Sequence, residues 1–488
     1  MNPNGIAYLM LAIWPLVSVA LFRRLPFERA LIWTLLGGYL VLPPIAEFNL
    51  PLVPDMDKVS IPSISALVIC VYLLGKHISF WPRSWIARGL VMGYVFGAIP
   101  TVLTNSDPII FEVLANTDPI EFTTGWLPGL SLRDLFSVLI NQIIILLPFF
   151  LARQFLASET GMRELMLALL VGGVAYTIPA LIEIRLSPQI NVWIYGFFQH
   201  SFEQMMRDGG FRPIIFLQHA LWVAFFFMTA VMAAAALART SKLEDRTRYL
   251  LMMIYLAGVL FLCKSLASLA YCIALTPLVL FASPRMQIRI AIVFASIAII
   301  YPVLRNAGVI PLDAILQQAG QVSADRAQSL GFRFENEEQL LDRAQERWLF
   351  GWGGWGRNLI HHMETGQILS IPDGRWIIVF GTFGWVGYVS EMGLLALPLI
   401  LLGREARRLS KSELAPYVAP MALMLAITMI DMLLNAILTP FTWLLAGSIF
   451  GYIETVRGTR SERTQRRLFP SGQAIGRQTS EPRGRTIL

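Results

Sequence analysis

The sequence predicts an all-α, polytopic bundle of about 12 to 14 transmembrane helices with a long, partly helical extracytoplasmic loop. Two observations carry that prediction. The chain is 56% hydrophobic and 15% charged, with a mean hydropathy of +0.60, which is too apolar for soluble domains. Apolar runs of near-membrane length also recur between clusters of charge and turn residues. The 3 cysteines in 488 residues exclude a disulfide scaffold, and Cys70, Cys263 and Cys272 all sit in apolar runs as small core side chains.

A span needs roughly 20 mostly apolar residues, with about 17 as a lower limit. Cutting the chain at its charges leaves apolar cores at 5–22, 30–46, 59–75, 89–104, 135–152, 165–182 and 214–238, then 249–263, 265–283, 290–304, 376–402, 414–431 and 435–453. Lys264 divides two short runs, and a single tilted span there would change the parity. The first positive charges, Arg23 and Arg24, follow the first apolar run, so that run reads as a retained span and not a cleaved signal.

Alternating the loops with the N-terminus outside puts 26 of the 39 Lys and Arg in short inner loops and the tail. Cytoplasmic loops of membrane proteins carry that excess. The division is then a bundle of about ten spans over 1–304, a long extracytoplasmic loop over 305–375, C-terminal spans over 376–453, and a basic cytoplasmic tail over 454–488, expected to be disordered and drawn to anionic lipid. Three long loops, about 105–134, 183–213 and 305–375, fall on the outer face, which makes it the working face. The short inner loops hold no glycine-rich phosphate cradle, and no Cys/His group has zinc spacing, so neither cofactor nor metal is expected. Nothing points to nucleic acid.

The most informative stretch is Glu335 to Gly356, ENEEQLLDRAQERWLFGWGGWG. Its first part favours helix, with Arg343 and Arg347 at i, i+4 on one face, where two guanidiniums can clasp a diphosphate or be neutralised by Glu338, Asp342 and Glu346. Trp352 and Trp355 lie among glycines that admit a ligand close to the backbone, and either can stack on a sugar ring or anchor at the interface. His361, His362 and Asp373 are candidate general bases toward a sugar hydroxyl, with an N-cap role open for Asp373. In the second loop, Arg207 to Pro213 opens an apolar run with Arg212 at its mouth. His219 below it reads as a core histidine. Arg357 and Arg375 add cations to the outer side. Glu391, well inside a span, is functional or paired.

The order of four of these features resembles the O-antigen ligase and polysaccharide polymerase superfamily. They are Gly209 to Pro213 opening a span, Lys264-Ser265, the loop with Arg343, Arg347, Trp348 and Gly351 to Gly353, and DGRWIIVFGTFGWVG from Asp373 to Gly387. The resemblance covers roughly 200–400. It implies an inner-membrane enzyme that transfers a glycan from an undecaprenyl-diphosphate carrier to an acceptor hydroxyl on the periplasmic face, with no cofactor. Arg212 and one of Arg343 or Arg347 would then hold the diphosphate. A His-Asn pair of the ligases is Asp373-Gly374 in this chain, which favours an exopolysaccharide polymerase over a lipopolysaccharide ligase. The implied partners are membrane lipids and the chain-length regulator and flippase of the same pathway.

Fixed arginines would stabilise the leaving diphosphate, and Asp373, His361 or His362 would take the acceptor proton. The rival classes are a transporter or flippase of lipid-linked oligosaccharides, which needs polar groups at the midplane of several spans, and a non-catalytic partner of a secretion complex. The charge distribution makes a direct prediction. Reporter fusions after Arg467 are active only with a cytoplasmic reporter, and fusions near Gln339 only with an extracytoplasmic one. The opposite pattern at Gln339 overturns the topology.

Overall fold

A computed structural model describes residues 2–49, 53–115, 121–207, 209–362, 365–410 and 413–468. Its helices are α1 (Gly5–Arg24), α2 (Phe27–Val41), α3 (Ser60–Val68), α4 (Trp85–Phe96), α5 (Ala98–Leu103), α6 (Leu132–Phe155), α7 (Glu159–Arg185) and α8 (Ile190–Tyr195), followed by α9 (Ala220–Thr240), α10 (Leu243–Leu262), α11 (Leu266–Phe281), α12 (Pro284–Asn306), α13 (Leu312–Val322), α14 (Ala324–Gln345), α15 (Arg375–Ala406), α16 (Val418–Asp431) and α17 (Pro440–Leu468). The protein is an all-α polytopic bundle. Every apolar core read from the sequence is helical over most of its length. Seven described helical stretches are long and apolar enough to cross a membrane, and 60–73, 266–281 and 418–431 are shorter apolar helices.

Local chemistry sets several of the ends. Asn4 caps α1 by accepting the Ala7 N–H, Ser158 caps α7 through the Gly161 N–H, and Ser131 and Asp134 form a capping box at α6. Helix α9 is the buried centre, wrapped by α7, α10 and α11, and its run Ala233 to Ala236 lets those neighbours approach closely. Lys264, with φ 54°, separates α10 from α11, so the two short runs are distinct helices and not one tilted span.

Polar contacts join loops at each end of the bundle. On the basic face Arg153 pairs with Glu454 at 2.7 Å, Arg457 with Glu405 at 2.8 Å, and Arg285 donates to Ala406 O and Leu409 O. On the N-terminal face Lys264 Nζ donates to Arg207 O at 2.7 Å, and Asn4 donates to Ile194 O.

Three expectations change. The 105–134 loop carries an antiparallel hairpin, β1 (Ile109–Ala115) with β2 (Glu121–Leu127), paired from Ile109 with Leu127 to Ala115 with Glu121. The tail expected to be disordered from 454 continues α17 to Leu468, because Glu454 and Arg457 are tied to α6 and α15; residues 469–488 lie outside the described ones. The run read as a span from 214 becomes helical only at Ala220.

The decisive departure is inside α15. Gly384 (φ 61°, ψ −160°) breaks it into a half-helix, 375–383, and a full-length helix, 385–406. Arg375 Nε and Nη2 then meet Glu391 Oε1 and Oε2, both at 2.7 Å. Sixteen residues apart on one straight helix they would be separated by about 24 Å. The half-helix therefore folds back along the helix that follows it. A buried break must satisfy the backbone groups it frees. Segment 348–353 does so: Gly381 O and Thr382 O accept from the N–H groups of Trp352 (2.8 Å) and Gly353 (2.9 Å), while Trp385 and Val386 donate to Trp348 O (2.8 Å) and Leu349 O (3.2 Å). A Cβ on Gly384 would meet the Leu349 backbone, and one on Gly351 the Thr382 backbone, which is why this loop is glycine-rich.

Arg375, read as a substrate ligand, is thus committed to Glu391, which is 1% exposed. Arg375→Ala leaves that carboxylate uncompensated and costs on the order of 3 kcal/mol, lowering the melting temperature in detergent. The double variant Arg375→Met/Glu391→Leu recovers most of the loss, because an apolar isostere of a buried pair is nearly neutral. No recovery in the double variant means that Arg375 serves another partner.

Candidate active site

The polar residues of the N-terminal face fall into two groups. The first contains Arg343, Arg347, Arg357 and Trp352. The Arg343 guanidinium lies 3.5 Å and that of Arg347 4.4 Å from the Trp352 ring centroid, and the indole donates to Arg343 O at 2.7 Å. Arg357 is 2% exposed and donates to Pro128 O (2.8 Å) and Asp107 O (2.9 Å). Arg347 donates to Thr104 O, and Arg343 to Glu346 at 2.9 Å. Burial and then the neighbouring guanidiniums hold Arg357 below the usual arginine range, and burial does the same to Arg343. Arg347 and Arg357 donate to carbonyls of the 104–128 segment and Arg343 to Glu346 and Arg357 O, while Nε of Arg343 and of Arg357 is buried without a hydrogen bond. Arg347 and Arg357 thereby rivet the glycine-tryptophan loop to the residues flanking the hairpin.

The second group gathers at the mouth of the bundle, and Arg212 belongs to it. His200 and His219 stack edge to face with ring centroids 4.6 Å apart. His219 caps α9, its Nδ1 accepting from the Leu221 N–H at 3.0 Å, which puts the proton of the neutral ring on Nε2. His200 Nδ1 accepts from the Ser201 N–H at 2.8 Å. Burial, then His200, Arg212 and Arg333, push His219 down to about 3, and burial lowers His200. Both imidazoles are therefore neutral N–H donors near pH 7.

Asp373 supplies the anion. Its Oδ2 lies 3.4 Å from Arg333 Nε, and Arg333 also donates to Leu434 O (3.2 Å) and Asn435 Oδ1 (3.4 Å). Gly374, not Asp373, is the N-cap of the α15 half-helix, and no side chain caps it, so the N-cap role for Asp373 is not realised. Burial raises the Asp373 carboxyl above its ordinary range, opposed by Arg333 and His200. Arg333 comes from α14, Asp373 from the α15 lead-in, His219 from the α9 cap, and Arg212 and His200 from the 183–213 loop.

The stretch that presents Arg212 and His219 is held open by side chains. Glu183, fully buried in α7, accepts from the N–H groups of Ile190 (3.0 Å), Ile214 (2.7 Å) and Ile215 (2.8 Å). Gln199 donates to Ile215 O and Leu217 O, and Lys58 Nζ donates to Phe216 O at 2.7 Å. Ile215 sits at φ 51°, a left-handed conformation that a β-branched residue adopts only when its surroundings impose it. These bonds replace the first turns of helix that the apolar pattern from 214 implies.

The other residues singled out in the sequence lie apart from Asp373. His361 has both ring nitrogens against carbonyls, Gly356 O at 2.8 Å and Gly366 O at 3.1 Å, and packs on Phe111, so it staples its own loop. His362 is exposed and accepts from the Thr365 N–H. Trp355 is 57% exposed. Arg207 lies in a two-residue strand beside Gly210 and offers its carbonyl to Lys264. Sequence reading passed over His200, Arg333 and Glu183, whose only signal was their residue type. Among the described residues no group of three His, Cys, Asp or Glu side chains is arranged to hold a metal ion. No protein-family model and no curated protein matches the chain.

The Asp373 environment gives a signed test. A carboxyl whose folded value lies above its unfolded one binds its proton more tightly in the native state, so its contribution to stability falls as pH rises. Asp373→Asn therefore melts higher than wild type at neutral pH. The gain shrinks as pH falls and is gone below about pH 4, where the unfolded carboxyl is protonated too. A variant that melts lower at neutral pH contradicts this account.

Proposed function

We propose that the protein is a membrane glycosyltransferase of polymerase type, which transfers a glycan from an undecaprenyl-diphosphate-linked donor to an acceptor hydroxyl at the periplasmic face of a bacterial inner membrane. The observation that carries the reading is that Arg333 pairs with Asp373 while Arg212 and Asp373 both act on His200, which stacks on a second neutral imidazole, His219, at the start of α9. Arginine matches phosphate oxygens with paired donors, and a site at the membrane boundary suits a ligand whose tail stays in lipid.

In this reading the acceptor oxygen forms a bond to the anomeric carbon as the bond from that carbon to the diphosphate oxygen breaks. The acceptor proton passes to Asp373, whose raised value brings a carboxylate closer to the working pH of a general base. Arg212 and Arg333, with the imidazole N–H groups of His200 and His219, stabilise charge as it grows on the leaving diphosphate, which favours the transition state over the ground state. Arg343 and Arg347, engaged around Trp352, support the loop instead of the donor. Neither nucleotide nor metal takes part in the scheme.

The test uses purified protein in nanodiscs with lipid-linked donor. Transfer survives EDTA. Arg212→Ala and Arg333→Ala each cut turnover by about one to two orders of magnitude, the scale of a lost charge-assisted contact, and lysine restores only part of it. Wild-type rates in both alanine variants, folded and in the membrane, overturn the assignment, and strict dependence on a divalent ion overturns the scheme.

A further inference from the structure

A second concavity lies on the N-terminal face. It is a cavity of about 250 Å³ between the ends of α12 and α14 and the break in α15, and Asn306, Leu341, Gln345, Trp348, Phe380 and Trp385 line it. Phe380 and Trp385 flank Gly384 and meet edge to face at 5.1 Å. Trp348, 55% exposed, forms an open wall, held in place through its own carbonyl, which accepts the Trp385 N–H. Gln345 Nε2 donates to Asn306 Oδ1 at 2.6 Å, a bond that engages neither Gln345 Oε1 nor Asn306 Nδ2.

We propose that this cavity binds one pyranose ring of the glycan, a subsite that rests on the glycan-transfer reading and adds to it where the sugar sits. The chemistry of the lining selects the occupant. None of the described lining residues is ionisable, so a phosphate or a lipid headgroup finds no counter-charge there. An isoprenoid or acyl chain leaves the amide pair without partners and fits a long groove better than a compact hollow. The volume falls below the roughly 300 to 1,000 Å³ of pockets for drug-sized ligands, which matches a single ring and not an oligosaccharide. A pyranose has apolar C–H faces for the aromatic walls and a rim of hydroxyls that both donate and accept, as the amide pair does. The walls also come from α14, which carries Arg333, and from α15, whose lead-in carries Asp373 and whose half-helix from Arg375 ends at this break. A ring held there lies on the structure that positions Asp373.

The experiment titrates full-length protein in nanodiscs with the oligosaccharide released by mild acid from the lipid-linked fraction of the host membranes, read by tryptophan fluorescence and by acceptor-dependent kinetics. Trp348→Ala weakens binding and raises the acceptor KM about three- to tenfold with kcat within twofold, Trp348→Phe recovers most of it, and Asn306→Ala/Gln345→Ala gives a loss of similar size. Both sets are exposed at the rim, and alanine at 348 keeps the carbonyl that Trp385 needs. Unchanged binding and KM in Trp348→Ala and in the amide double variant overturn the subsite while leaving the transfer reading intact. Quenching of Trp348 by brominated phospholipid that the oligosaccharide does not relieve assigns the cavity to lipid and also overturns it. Absence of transfer by wild type, with oligosaccharide binding still sensitive to Trp348→Ala, defeats the transfer reading and keeps the sugar site.

Discussion

The bidentate pair of Arg375 with Glu391 is the constraint from which the architecture of the N-terminal face follows. A carboxylate this deeply buried needs a partner of opposite charge, and the partner reaches it only if the chain reverses at Gly384. The reversal frees backbone groups on both sides of the break. The glycine-tryptophan loop supplies their partners, and Arg347 and Arg357 tie that loop to Thr104, Asp107 and Pro128, the residues flanking the hairpin. Conspicuous tryptophans, glycines and arginines in the long loop thus serve one buried backbone requirement.

A second irregular stretch, 212–219, is built by the same logic with different parts. Glu183, Gln199 and Lys58 satisfy carbonyls and N–H groups that a helix would have satisfied itself. The result is that His219 caps α9 with its ring, and Arg212 comes within electrostatic reach of both histidines. Broken backbone is tolerated in a membrane protein where it is buried in protein or lines a cavity; the 212–219 stretch borders the vestibule of His200 and His219, while the α15 break borders the separate hollow of Phe380 and Trp385. Around His200 and His219 burial keeps both imidazoles neutral, and burial raises the Asp373 carboxyl above its ordinary range against the pull of Arg333 and His200.

Two uses of arginine therefore coexist on one face. Arg347 and Arg357 satisfy carbonyl oxygens and Arg343 and Arg347 lie over an indole, while Arg212 and Arg333 stand among titratable groups. The i, i+4 spacing of Arg343 and Arg347 is as suited to clasping an indole as to clasping a diphosphate. What separates the two uses is the supply of nearby carbonyls from residues 104–128, more than 200 positions away in the chain.

The sequence by itself determined the polytopic helix bundle and the helical identity of its apolar cores. Hydropathy is a local sum, and no distant contact can reverse it. The sequence also singled out Arg212 and Asp373, which the fold brings within electrostatic reach of one histidine, His200. Tertiary structure alone decided that Asp373 pairs with Arg333 and not with an N-cap, that Arg375 is spent on Glu391, and that His200 joins His219. Each of those outcomes depends on which distant group fills a buried hydrogen-bonding or charge requirement, and no window along the chain contains both partners.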